Sequence, residues 1–113
     1  MPQEQTTRPT GLFHTVFFWV RRDGEPGDAE RIAEGCRTHL SGIPGVVRLT
    51  VGRPAGTPRD VVDNSYGLAL LVEFVDAAAC DVYEHHPDHL RFIAECGQFW
   101  SRVQVYDTLP MSG

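Results

Sequence analysis

Hydrophobic residues recur along this chain with two alternating periods, and the switches between them divide it into elements. Leu12 to Val20 (LFHTVFFWV) is β-branched and aromatic throughout and ends at Arg21-Arg22-Asp23-Gly24, which predicts a strand that is apolar on both faces. His14, Val16, Phe18 and Val20 point one way, and Phe13, Thr15, Phe17 and Trp19 the other. From Asp28 to Ser41 the period lengthens. Ile32, Cys36, Leu40 and Ile43 recur at helical spacing, Asp28 is placed to cap the start, and Gly42 and Pro44 stop the helix. Val46 to Gly52 alternates again, with Val47, Leu49 and Val51 toward a core and Arg48 and Thr50 away from it. Arg53 to Ser65 reads as the longest internal loop, and Tyr66 to Phe74 as a third strand. Asp76 caps a second helix that runs to about His85, where His86-Pro87 interrupts it. Pro87 then opens a third helix to about Phe99, and Ser101 to Asp107 forms a last alternating strand.

The order β-α-β-β-α(α)-β is the split-βαβ pattern of the ferredoxin-like α+β class. Right-handed crossovers give a four-stranded antiparallel-type sheet in the order 4-1-3-2, with the helices on one face. The other face then carries Phe13, Phe17, Trp19, Ala69, Leu71 and Tyr106 among Thr15, Arg48, Thr50, Arg102 and Gln104. A patch that apolar calls for a cover, and a second copy of the chain is the direct one. The expected domain is 12–109, between a loose N-terminal tail at 1–11 and a short C-terminal tail at 110–113.

Composition narrows the function classes. One domain of 113 residues with 42% hydrophobic and 22% charged residues is ordinary for a globular protein. The net charge of −5 opposes phosphate backbones and anionic lipid, so neither nucleic acid nor membrane is an expected partner. The N-terminal stretch lacks the apolar segment of a signal peptide, and three cysteines without CxxC spacing read as reduced thiols of a cytoplasmic protein.

HTVFFWV near the N-terminus, IPGV after the first helix, VVDNSY before the third strand, the segment Tyr83 to His89 (YEHHPDH) and WSRVQVYD at the end resemble the stress-responsive A/B-barrel (Dabb) family over Leu12 to Leu109. The resemblance implies a homodimeric α/β barrel closed through the sheet face. Members of that family are mostly of unknown function. A plant member is a polyketide cyclase that closes a ring without a cofactor, using a tyrosine and a histidine that fall on Tyr83 and His89. A histidine and an aromatic residue of that cyclase's pocket fall instead on Leu68 and Cys36, so its substrate does not carry over.

Four residues are candidates for chemistry. His14 opens the first strand and Asp107 ends the last, and in the 4-1-3-2 order these ends are antiparallel neighbours. The pair is either a structural anchor of the strand ends or an oriented base with its carboxylate. Tyr83 and His89 flank the helix break. A histidine in the first turn of a helix favours the neutral imidazole, a competent base, and a tyrosine beside it can hold an enolate oxygen. His86 sits where it can cap the third helix. His85 and His89 have metal-ligand spacing, but Pro87 breaks the helix between them, so neither a metal nor any other cofactor is expected. The expected function is binding of a small apolar or aromatic molecule between sheet and helices. The alternatives are a cofactor-free cyclase-like lyase using the Tyr/His pair, and a cofactor-free monooxygenase by analogy of fold alone.

Overall fold

The computed structural model describes residues 9–111. A four-stranded antiparallel sheet is built from β1 (Leu12–Val20), β2 (Val46–Gly52), β3 (Leu68–Phe74) and β4 (Trp100–Thr108) in the order β2-β3-β1-β4, the topology expected from the sequence. Three helices, α1 (Asp28–His39), α2 (Ala77–His85) and α3 (Pro87–Cys96), pack on the sheet, and a 3₁₀ turn at Gly97–Phe99 leads into β4. The protein therefore has the ferredoxin-like α+β fold.

The core lies between the sheet and the helices. Val16 and Phe18 of β1 meet Leu70, Val72 and Phe74 of β3, with Ile32 and Cys36 of α1, Tyr83 of α2 and Phe92 of α3 above them, all buried. Burying each of the larger of these side chains contributes about 1.5–3 kcal/mol. β1 is the central strand of this layer. It pairs with β3 along one edge and β4 along the other, and its register places His14 opposite both Val72 and Asp107.

Local chemistry sets the element ends. Asp76 caps α2 by accepting from the Ala79 amide at 2.8 Å. His86 has extended backbone geometry and caps α3, its Nδ1 accepting from the Asp88 amide at 3.0 Å, while Pro87 fills the first helical position, where a missing N–H costs nothing.

Several boundaries differ from those read in the sequence. Asp28 is not the cap of α1. Gly27 takes that position in the left-handed region (φ 91°), and the buried Asp28 carboxylate accepts instead from the Glu25 amide and from Arg31. The register of β2 against β3 shifts between Val46 and Arg48, so Val46 rather than Val47 packs on the core beside Leu49 and Val51. A bulge of this kind reverses side-chain parity, which alternation alone does not reveal. β3 starts at Leu68, two residues later than expected, because Tyr66 turns onto the open face against Phe17, with ring centroids 4.8 Å apart. The third helix ends at Cys96, short of Phe99, where the 3₁₀ turn takes over. Two residues of the expected N-terminal tail are held against the sheet. Thr10 donates to the Glu73 carboxylate at 2.9 Å and the Gly11 amide to the Phe74 carbonyl at 2.8 Å, tying both to β3. The rest of the expected tails, 1–8 and 112–113, lies outside the described residues.

The second sheet face is left open in the single chain. Phe17 packs on Tyr66 and Tyr106, the Arg102 guanidinium stacks 4.1 Å above the Trp19 ring, and Leu71 and Tyr106 are 43% and 58% exposed.

Candidate active-site cavity

On the helix face, between β1, β4, α2 and α3, the core leaves a cavity of about 210 Å³. Most of its wall is apolar: Val16, Phe18, Leu70, Phe92, Trp100 and Val105. Four polar side chains interrupt that wall, namely His14, Tyr83, Glu84 and His89. The helices do not close over the β4 edge, so Val103 and Val105 line the open side of this cavity and remain about two-fifths exposed.

His14 is 3% exposed. Its Nδ1 donates to the Asp107 carboxylate at 2.5 Å, a contact that the β1–β4 register dictates. With Nδ1 donating, the lone pair of the neutral ring lies on Nε2, which is 3.6 Å from a Glu84 carboxylate oxygen. Phe74 and Tyr83 pack against the ring at centroid distances of 5.9 and 5.6 Å.

Tyr83 and His89 meet across the helix break at a centroid distance of 4.9 Å. Pro87 starts a new helix axis there, which brings His89 in the first turn of α3 back onto Tyr83 near the end of α2. Both therefore point into the same cavity. His89 Nδ1 is buried and has no hydrogen-bond partner among the described residues. Burial holds the His89 imidazole below its ordinary pKa, with opposing help from Glu84 and further lowering from His14. Burial also pushes the Tyr83 phenol well above its ordinary value, so the group stays a hydrogen-bond donor.

All four residues singled out in the sequence are thus found together, as two contacting pairs joined through the Tyr83 and His14 rings. Glu84, Phe92 and Trp100 were not singled out. For Glu84 a signal existed: it lies one helical turn after Cys80, so both side chains project from one side of α2 toward β1. Leu68 and Cys36, at the positions where the plant cyclase differs, are buried in the core and do not line the cavity. His85 turns away into solvent, its Nδ1 2.9 Å from the Asp81 carbonyl, so the His85/His89 spacing brings no ligands together. Cys36, Cys80 and Cys96 are free and buried, and burial pushes the first two thiols up to about 12 and about 11, which leaves them poor nucleophiles at neutral pH.

A ferredoxin-like sheet with a polar cluster in an apolar cavity under its helices defines the class. The family model described as the stress responsive A/B barrel domain (Dabb) matches residues 12–109, and the protein belongs to that family. Among solved structures, a Dabb-family protein with a ferredoxin-like fold from Mesorhizobium loti is 25% identical, with a TM-score of 0.73 over 92% of this chain and 100% of its own. A dimeric ferredoxin-like protein of unknown function from a Jannaschia species is also 25% identical, with a TM-score of 0.70 over 86% and 96%. The hydroxynitrile lyase of Passiflora edulis has a TM-score of 0.77 over 93% and 97% at 15% identity, a likeness of fold. Comparison with curated proteins gives no match. Among the described residues, no helix is long and apolar enough to cross a membrane.

The lowered His89 pKa has a definite sign in stability. Near pH 6 the unfolded chain protonates this imidazole while the folded protein resists it. The His89 contribution is therefore intact above about pH 6.5 and is lost as the pH falls toward the folded-state value. Chemical denaturation of the wild type and His89→Gln between pH 7.5 and 5 will show the wild type losing more stability on acidification. Parallel curves would contradict the buried, neutral assignment.

Proposed function

We propose that the protein is a homodimeric, cofactor-free acid–base catalyst that takes a small aromatic or apolar carbonyl compound into the cavity between sheet and helices. One observation carries this reading: His14, Tyr83, Glu84 and His89 stand together on the wall of a single, otherwise apolar cavity. At about 210 Å³ the cavity is smaller than the ~300–1,000 Å³ typical of drug-sized sites, which favours a ligand of one ring with a short substituent. Phe18, Phe92 and Trp100 pack on one another as an aromatic wall suited to that ring.

The chemistry follows from the polar groups. His89, whose Nδ1 is left unsatisfied by the protein, acts as the neutral tautomer with its lone pair on Nδ1 and takes there a proton from the carbon alpha to the carbonyl. The Tyr83 hydroxyl donates a hydrogen bond to the oxygen on which the enolate charge collects. His14, oriented by Asp107, stands at the same wall beside Tyr83. Ring closure of the aldol type begins with this proton transfer. The reduced, buried thiols fit a cytoplasmic setting.

The dimer reading rests on the open sheet face, with its Phe17, Tyr66 and Tyr106 cluster and exposed Leu71, and on structural neighbours described as dimeric. Light scattering at micromolar concentration will give twice the chain mass of 12.6 kDa; a monodisperse monomer would contradict the pairing.

Deuterium exchange into the methyl group of acetophenone in neutral D₂O tests the proton transfer. The protein will accelerate the exchange above buffer. His89→Gln will reduce the enzyme-catalysed rate by about 10²–10⁴-fold and Tyr83→Phe by about 10²–10³-fold, with circular dichroism unchanged. Tight binding without accelerated exchange would reduce the function to ligand binding.

A further inference from the structure

We infer that the same wall holds a divalent transition-metal site of the zinc class, made by His14 Nε2, Cys80 Sγ and the Glu84 carboxylate, with Asp107 as the carboxylate that orients the histidine. This goes beyond the acid–base reading and does not rest on it, since neither Tyr83 nor His89 is a ligand.

Three observations point to the site. First, one ligand atom from each of His14, Cys80 and Glu84 can be chosen so that all lie within 4.8 Å of one another. Zinc bonds of about 2.0–2.3 Å in a tetrahedron place ligand atoms roughly 3–4 Å apart, so a small side-chain adjustment closes the set. The His14 Nε2 to Glu84 separation is 3.6 Å, within that range but too long for a good hydrogen bond. Second, His14 has the arrangement common to metal-bound histidines. Asp107 accepts the Nδ1 proton, which fixes the tautomer and leaves the Nε2 lone pair for a ligand bond. Third, the local field is negative: the Asp107 and Glu84 carboxylates stand 2.5 and 3.6 Å from the two ring nitrogens of His14, and a bound cation would relieve that crowding.

The fold explains why these residues meet. Cys80 and Glu84 are one turn apart on α2, and α2 lies over β1 at His14, where Cys80 Sγ stands 4.0 Å from His14 Nδ1 and Glu84 3.6 Å from Nε2. Mixed nitrogen, sulfur and oxygen ligands suit Zn²⁺ better than the all-oxygen preference of Mg²⁺ or Ca²⁺. Three protein ligands leave a fourth position, and because His14 and Glu84 line the cavity, that position faces it.

Cobalt(II) is the probe. Anaerobic titration of the full-length, reduced protein will give one equivalent per chain, with the near-ultraviolet thiolate-to-cobalt band and the intense visible bands of a tetrahedral site. Zinc will displace it. Glu84→Gln, a change at a half-exposed side chain, will weaken cobalt binding at least tenfold, and Asp107→Asn will weaken it about 10–100-fold. Cys80→Ser will abolish the thiolate band, and His85→Gln, on the outer face of α2, will change nothing. Absence of a thiolate band at one equivalent, or a titration that Glu84→Gln leaves unchanged, would overturn the site. Acetophenone exchange measured in chelator-treated protein is independent of this result.

Discussion

The register of β1 against β4 is the constraint on which the rest depends. β1 is hydrogen-bonded along both edges, and sliding it by one residue against β4 would turn every side chain of one strand to the wrong face of the other. In the observed register His14 is directly opposite Asp107, buried, and fixed in one tautomer. The same parity sends Val16 and Phe18 into the core and leaves Phe17 and Trp19 on the open face. One alignment therefore sets the floor of the cavity, the orientation of its histidine and the apolar surface offered to a second subunit.

The second constraint is the helix break. Without Pro87, α2 and α3 would be one rod, and His89 would lie more than a turn beyond Tyr83 along the axis. The break folds α3 back, so that Tyr83, His89 and Phe92 line one wall. His86 and Pro87 are good residues for starting a helix, so the site geometry is supported by ordinary capping chemistry rather than by strain.

Much of this was legible in the sequence because it depends on parity and chain order. Strand alternation and right-handed crossovers suffice to bring His14 beside Asp107, and proline chemistry suffices to locate the break. Other features depend on distances that periodicity does not encode. The bulge at Val47 reverses one strand's facing, and nothing in VVRLTVG announces it. Asp28 resembles a helix cap, yet a neighbouring glycine with positive φ takes that role and frees the carboxylate for Glu25 and Arg31. Helical spacing puts Glu84 on one side of α2 with Cys80, but its closeness to His14 arises only when α2 lies across β1.

The central claim is that the space under the helices is a site for a small carbonyl compound, with its polar end at Tyr83 and His89. A crystal structure of the protein soaked with acetophenone tests it most directly. The account predicts the phenyl ring against Phe18, Phe92 and Trp100, with the carbonyl oxygen within about 3 Å of the Tyr83 hydroxyl or a His89 ring nitrogen. A cavity filled by repacked side chains, or acetophenone found only on the open sheet face, would contradict it.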